Sequence, residues 1–332
     1  MLERWKKAVV HLECARDSQS YDERRRRDDE LFASLRKGEI TQEAWAEAMK
    51  GGSRDVRFHG TALFVSHEGR RFLLTARHVL FNEHDAEIDF RKEEQKAMTW
   101  PEHARDHRLE YARKRAAYQI FPIIFRVPSI DEVLANQTVE ESLMNLSAGT
   151  FDTAPYTFSD ENLDLALISL DARDKQFADE LISRGFVPIP SADIAEGPDA
   201  DGQDILAIGF PSSTALLGQL DLHPANANWA SSHYSLPISS FGRVAMVHPA
   251  LPFFWADISI YPGNSGGPVI SNDRLVGIVS SQATLAIDAV PHVRTRIPFG
   301  RIIKASHVHD LLKEQMQKDR DPAERYAQGR PS

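Results

Sequence analysis

"SIYPGNSGGPVI", residues 259–270, sets one serine among glycines just after a proline. Gly263, Gly266 and Gly267 bracket Asn264 and Ser265, and apolar residues flank the whole. Glycines grouped this way mark a turn that needs positive φ, or a place where another backbone comes close. One reading is a tight hairpin turn with no chemistry. The other is a backbone bent so that its N–H groups face a developing negative charge beside a nucleophile. A serine nucleophile needs a base, and the base needs a group to orient it. The choice therefore turns on whether the chain supplies a histidine and a carboxylate in suitable settings.

Among the 13 histidines, His78 stands out. It follows the apolar run FLLTA (72–76) and opens RHVL, which reads as one helical turn, so its ring sits at the end of a strand. His59, His67 and His84 lie near turns or charged loops. The carboxylate candidate is Asp164, at the head of the apolar stretch NLDLALISL (162–170). A carboxylate there is costly to bury unless it is paired. The bland alternative is a strand-start aspartate bonded to nearby backbone N–H groups. Asp160 and Glu161, in the loop before it, read as solvent-facing.

Composition narrows the class. The chain has 332 residues, 42% of them hydrophobic and 26% charged, an ordinary globular mixture. A net charge of -9 argues against a nucleic-acid binder. Cys14, the single cysteine, has no partner for an internal disulfide. The N-terminus, MLERWKKAVVHLECARD, lacks a signal-peptide pattern, and no apolar run reaches the ~18 residues of a membrane span. The expectation is a soluble, cytoplasmic protein with no membrane contact.

Along the chain, WKKAVVHLEC (5–14) reads as a first strand. A charged segment over 15–55 reads as two short helices, with Leu31, Phe32, Leu35 and Trp45 spaced as one apolar face. Residues 57–80 read as a hairpin turning at Gly69. A second charged segment, 83–118, is helical in EHARDHRLEYARKRAAY, whereas the alternation of Glu83, Asp85, Glu87 and Asp89 predicts an exposed strand rather than a calcium loop. Strands are expected at 119–127 and 163–170, then a charged helical connector. Further strands follow at 204–211, 241–247, 252–261, 268–271 and 275–281. A polar helix from about Asp310 and a loose tail close the chain. His307 and His309 read as solvated histidines. No metal and no cofactor are expected.

TARHV (75–79), DLAL (164–167) and GNSGGPV (263–269), in that order, resemble the histidine, aspartate and serine motifs of trypsin-like serine proteases. GTALFV (60–65), AIGFP (207–211) and LVGIVSS (275–281) resemble that family's supporting strands. The resemblance implies a mainly β fold of two Greek-key barrels of the chymotrypsin type, with helical insertions and a C-terminal helix. The first barrel would take 1–170, a connector 171–184, the second barrel 185–305, and the helix and tail 306–332. It implies a serine endopeptidase in which Ser265 is nucleophile, His78 general base and acid, and Asp164 the orienting carboxylate. The N–H groups of Gly263 and Ser265 would form the oxyanion hole. Ser280 matches the pocket-strand serine that bonds the aspartate, and Ser259, Ser281 and Gln282 fall where the substrate pocket is lined. A neutral Ser259 at the floor favours an apolar or small side chain before the cut.

The chain also departs from the family pattern. Asn264 replaces the aspartate that pairs with a clipped N-terminus in digestive trypsins, which argues against that activation route. GNSGG resembles the bacterial branch, yet too few residues follow Ile303 for a PDZ domain. The insertions at 15–55 and 83–118 are extra. Expected partners are a protein or peptide substrate and a regulatory protein docking through the insertions. A second reading, from another class, is a binding or regulatory module on the same scaffold with cleavage latent or lost.

Overall fold

The computed structural model describes residues 2–16, 21–50, 56–121, 123–129, 131, 156–172, 175–212, 236–287 and 290–328. The chain opens with α1 (Leu2–Lys6) and β1 (Val9–Arg16), so the strand expected from residue 5 begins later. Trp5 belongs to the helical turn because its ring is needed elsewhere. It is fully buried, and its indole N–H donates to Asp273 at 2.7 Å, far along the chain.

Helices α2 (Tyr21–Arg36) and α3 (Gln42–Lys50) follow and pack on each other. The apolar face anticipated there is only half-buried, and Phe32 is exposed. Strands β2 (Val56–His67) and β3 (Arg70–Ala76) form the expected hairpin, with Glu68 and Gly69 both at positive φ in the turn. α4 (Arg77–Leu80) is a single turn.

The acidic alternation after it is helix, not strand: α5 spans Glu83–Ala97. Asn82 caps α5 by accepting the Asp85 N–H at 3.2 Å, and Glu83 and Asp85 sit in its first turn, where the helix dipole favours negative charge. Residues two apart in sequence are also compatible with i,i+4 pairing, and Glu87 pairs with Arg91. α6 (Glu102–Ala116) folds back on α5.

Then come β4 (Ile123–Arg126), β5 (Tyr156–Phe158), β6 (Leu165–Ser169), α7 (Lys175–Ser183) and β7 (Ile189–Pro190). Strands β1 to β7 make a seven-stranded sheet ordered β4-β1-β2-β3-β6-β5, with β7 added beside β2. The stretch expected to open the second barrel at 185 therefore first lends a short strand to this sheet.

The second half is a closed barrel, in the order β10-β13-β12-β11-β8-β9. Its strands are β8 (Asp204–Gly209), β9 (Ile238–Val247), β10 (Phe253–Asp257), β11 (Pro268–Ser271), β12 (Arg274–Ile287) and β13 (Val290–Lys304). β10 stops at Asp257, short of the expected 261, and frees the following residues to form the serine loop. β13 is not announced by its sequence, in which Pro291, Pro298 and Gly300 interrupt the apolar pattern. α8 (Ser306–Gln328) ends the described chain. The mainly β fold with helical insertions and a terminal helix is as expected, but of the two barrels expected only the second closes; among the described residues the first half is a seven-stranded sheet, because its end strands β4 and β5 do not pair with each other.

One apolar cluster joins the halves. It runs from Leu63, Phe72 and Leu165 of the sheet through Ile208, Ile278 and Ile303 of the barrel to Val308, Leu312 and Met316 of α8. α8 is thus more than a polar appendage. It returns to the first sheet, where Gln315 receives the Thr157 hydroxyl at 2.8 Å and Asp319 pairs with Arg70 and accepts from Ser169. Among the described residues, no helix is long and apolar enough to cross a membrane.

Candidate active site

Three separate elements meet where the two halves join. α4 carries His78, the loop before β6 carries Asp164, and the loop between β10 and β11 carries Ser265. His78 is placed by β3, whose end passes directly into the helical turn. Asp164 is placed by a side-chain-built turn: Asp160 Oδ1 accepts the N–H groups of Asn162 (2.8 Å) and Leu163 (3.1 Å), and Ser159 Oγ accepts that of Leu165 (2.8 Å). Asp164 itself sits at φ +50, a left-handed conformation that few residues besides Gly, Asn and Asp adopt.

His78 Nδ1 lies 2.8 Å from Asp164 Oδ2 and 3.0 Å from Oδ1, and the His78 backbone N–H also donates to Oδ1 at 3.0 Å. A carboxylate only accepts, so the proton of a neutral His78 ring belongs on Nδ1, leaving Nε2 as the free base. The His78 side chain is 51% exposed and that of Asp164 only 13%. Ser280 adds a further hydrogen bond, donating its hydroxyl to Asp164 Oδ2 at 2.6 Å.

The serine loop is wedged between backbones. Gly263 and Gly266 are at φ +98 and +83. A Cβ on Gly266 would stand 2.1 Å from the Thr61 carbonyl oxygen, and one on Gly263 2.2 Å from that of Phe210. Thr61 holds the loop from the first sheet. Its N–H donates to Ser265 O and its hydroxyl to Gly263 O, both at 2.8 Å, while that hydroxyl accepts the Phe210 N–H. Among the described contacts, the N–H groups of Gly263 and Ser265 donate to no protein acceptor. The Ser265 hydroxyl donates to Ser280 O at 3.3 Å rather than to His78.

The model of the trypsin-like peptidase domain family matches residues 60–278. The chain belongs to the trypsin-like peptidases. A similar protein is the serine protease PepD of Mycobacterium tuberculosis (strain ATCC 25618 / H37Rv), 30% identical over 168 residues; the match takes in 49% of this chain and 31% of PepD. The chain thus spans about a third of that relative's length. Among solved structures it is similar to the inactive form of the Rv3671c protease, at 12% identity and a TM-score of 0.40, covering 94% of this chain and 91% of that one. It is likewise similar to an inactive serine-to-alanine variant of Rv3671c from M. tuberculosis H37Rv, at 11% identity and a TM-score of 0.38, covering 95% and 90%.

In this trypsin-like peptidase the residues expected at the substrate pocket divide. Ser280 is buried and bonded to Asp164, while Ser281 is exposed and lies across from Arg301 on β13. Gln282, opposite Gly300, keeps its side-chain oxygen buried and without a hydrogen-bond partner among the described residues. Ser259 is exposed in the segment leading to the serine loop, and no described hydrogen bond ties it to His78, Asp164 or Ser265. Cys14 is buried in the first sheet, and burial pushes its thiol well above the ordinary range, which keeps it protonated. Asn264 is buried beside Gly209, and its side-chain oxygen has no hydrogen-bond partner among the described residues.

Two residues at the site escape sequence reading. Thr61 lies inside GTALFV, where a threonine in a strand carries no signal. Arg301 lies in the apolar run IPFGRIIK (297–304), where a cation directly before the buried Ile302 and Ile303 is a faint signal.

Proposed function

We propose that the protein is a serine endopeptidase acting on protein or peptide substrates, with Ser265, His78 and Asp164 as its catalytic triad. The observation that carries this reading is the Nδ1-bound His78–Asp164 pair, backed by Ser280, which links it to a serine loop whose Gly263 and Ser265 N–H groups are undonated among the described contacts. Ser265 Oγ would attack the scissile carbonyl carbon, forming a C–O bond as its proton passes to His78 Nε2. The oxyanion would be received by the Gly263 and Ser265 N–H groups. His78 would then protonate the leaving amine as the C–N bond breaks, and water would release the acyl group by the reverse proton path. Ser280, Ser281, Gln282 and Ser259 are the proposed lining of the substrate pocket. The helical pairs α2–α3 and α5–α6, with Phe32, Met98, Trp100 and Tyr111 exposed, are the proposed surface for substrate selection or a regulatory protein.

One observation favours a second reading, a latent or regulatory form of the same fold: the Ser265 hydroxyl is turned to Ser280 O. A fluorophosphonate probe tells the two apart. The endopeptidase reading expects covalent labelling at Ser265, lost in Ser265→Ala along with all peptide cleavage, a drop of about six orders of magnitude in kcat. Absence of labelling in the folded wild type, or cleavage surviving in Ser265→Ala, defeats it.

A further inference from the structure

The hydrogen bonds around Asp164 continue one step into the second barrel. Arg301, on β13, reaches across to the first half, where its Nη2 donates to Asn162 O at 2.6 Å. Asn162 lies two residues before Asp164, in the turn that holds the carboxylate at positive φ. Arg301 Nη1 is also 3.4 Å from Ser280 Oγ, a longer contact with the hydroxyl that donates to Asp164. The guanidinium rests over the Phe253 ring at 4.5 Å, which fixes its plane. Burial pulls its pKa down, and the Asp164 charge opposes that, so the two groups interact electrostatically. An arginine side chain stays charged in such a site.

The chemistry of Ser280 gives this contact direction. A hydroxyl has one proton to donate and lone pairs to accept with. With Arg301 donating to its oxygen, the Ser280 proton is left for Asp164. Asp164, accepting from Ser280 on one side and His78 on the other, then holds the His78 ring proton on Nδ1. Bonds arranged in such a chain polarise one another in the same sense. The other charges nearby do not do this work. Asp160 spends its carboxylate on the turn, and Arg77 on α4 lies against Glu161 and the Phe81 ring.

We infer that Arg301 is a positioning residue for the triad: it pins the Asp164 turn of the first half to the second barrel and orients the Ser280 hydroxyl, and through them sets the His78 tautomer. The inference rests on the triad reading above, and it goes further by giving the second barrel control of the first half's carboxylate.

The test uses the full chain labelled with 15N-histidine, in wild type, Arg301→Met and Arg301→Lys. Ring nitrogen shifts report the tautomer of His78, and the rate of fluorophosphonate labelling reports the nucleophile. Wild type and Arg301→Lys should hold the Nδ1–H tautomer. Arg301→Met should show a mixture with the Nε2–H form, and labelling about tenfold slower, the size of one charge-assisted hydrogen bond. In an Asp164→Asn background the same change should alter labelling less than about twofold, because the residue acts through Asp164. Melting curves accompany each variant, and Arg301→Gln takes the place of Arg301→Met if the latter is unfolded. A pure Nδ1–H ring in the folded Met or Gln variant, or an undiminished loss in the Asp164→Asn background, overturns the inference. If wild type takes no label, the nucleophile reading has failed, and the tautomer measurement still decides the role of Arg301.

Discussion

Two short loops carry Asp164 and Ser265, and they are built in opposite ways. Apart from the Arg301 contact to Asn162 O, the turn over 159–164 is held from within. Side chains of Ser159 and Asp160 bond its own backbone, and a non-glycine, Asp164, occupies the positive-φ position. The loop over 261–267 is held from outside. Thr61, Phe210, Ser212 and Val279 bond to it or press on it, and glycines occupy the positions where a Cβ would strike backbone. Left-handed strain is thus met once by side-chain hydrogen bonds and once by removing the side chain. The first solution keeps a functional group at the strained residue. The second keeps room for the backbones of distant segments and, among the described residues, leaves the Gly263 and Ser265 N–H groups free.

The largest expected effect tests whether the strained aspartate serves chemistry. Asp164→Asn should keep the fold and lower kcat/KM by about four orders of magnitude, because an amide in place of the carboxylate lets the wrong His78 tautomer form. Kinetics near the wild-type rate would reduce Asp164 to a turn residue. Next is the glycine loop. Gly266→Ala places a Cβ 2.1 Å from Thr61 O at φ +83, and should cost about 3 kcal/mol or more in chemical denaturation.

Gly69 supplies the control for that figure. It has φ +76 and open space around it, so Gly69→Ala carries only the backbone strain, about 1–2 kcal/mol. Equal losses at 266 and 69 would show that conformation alone, not close approach, demands glycine in the serine loop. The smallest effect concerns the side-chain-held turn. Asp160→Ala removes two hydrogen bonds at an exposed site, and should cost about 1 kcal/mol while slowing fluorophosphonate labelling. A stability loss with unchanged labelling would separate the turn from the placement of Asp164.

The same contrast explains what could be read in advance. A loop that solves strain with glycine writes it into the sequence, and GNSGG is legible at sight. A turn that solves it with hydrogen bonds looks like any polar loop, so Asp164 stands out only through the apolar strand behind it. The hairpin at Gly69, the helical turn after Ala76 and the strands with unbroken apolar runs are legible because their signals lie within a few residues. The start of β1 is misread because Trp5 answers to Asp273, and β13 is hidden because its Gly300 and Arg301 find their places only in pairing with β10 and β12. The acidic run of α5 is misread because a spacing of two fits a strand face and, counted in fours, a helix face.

By itself, then, the sequence determined the class of fold and the order of the histidine, aspartate and serine motifs, since each rests on local pattern and on side-chain chemistry. Only the tertiary structure decided that Thr61 anchors the serine loop, that Ser265 turns its hydroxyl to Ser280, that Arg301 reaches the Asp164 turn and that α8 returns to the first sheet. Those are contacts between residues distant in the chain. Their geometry follows from how two β structures pack around a shared core, and no short stretch of sequence contains it.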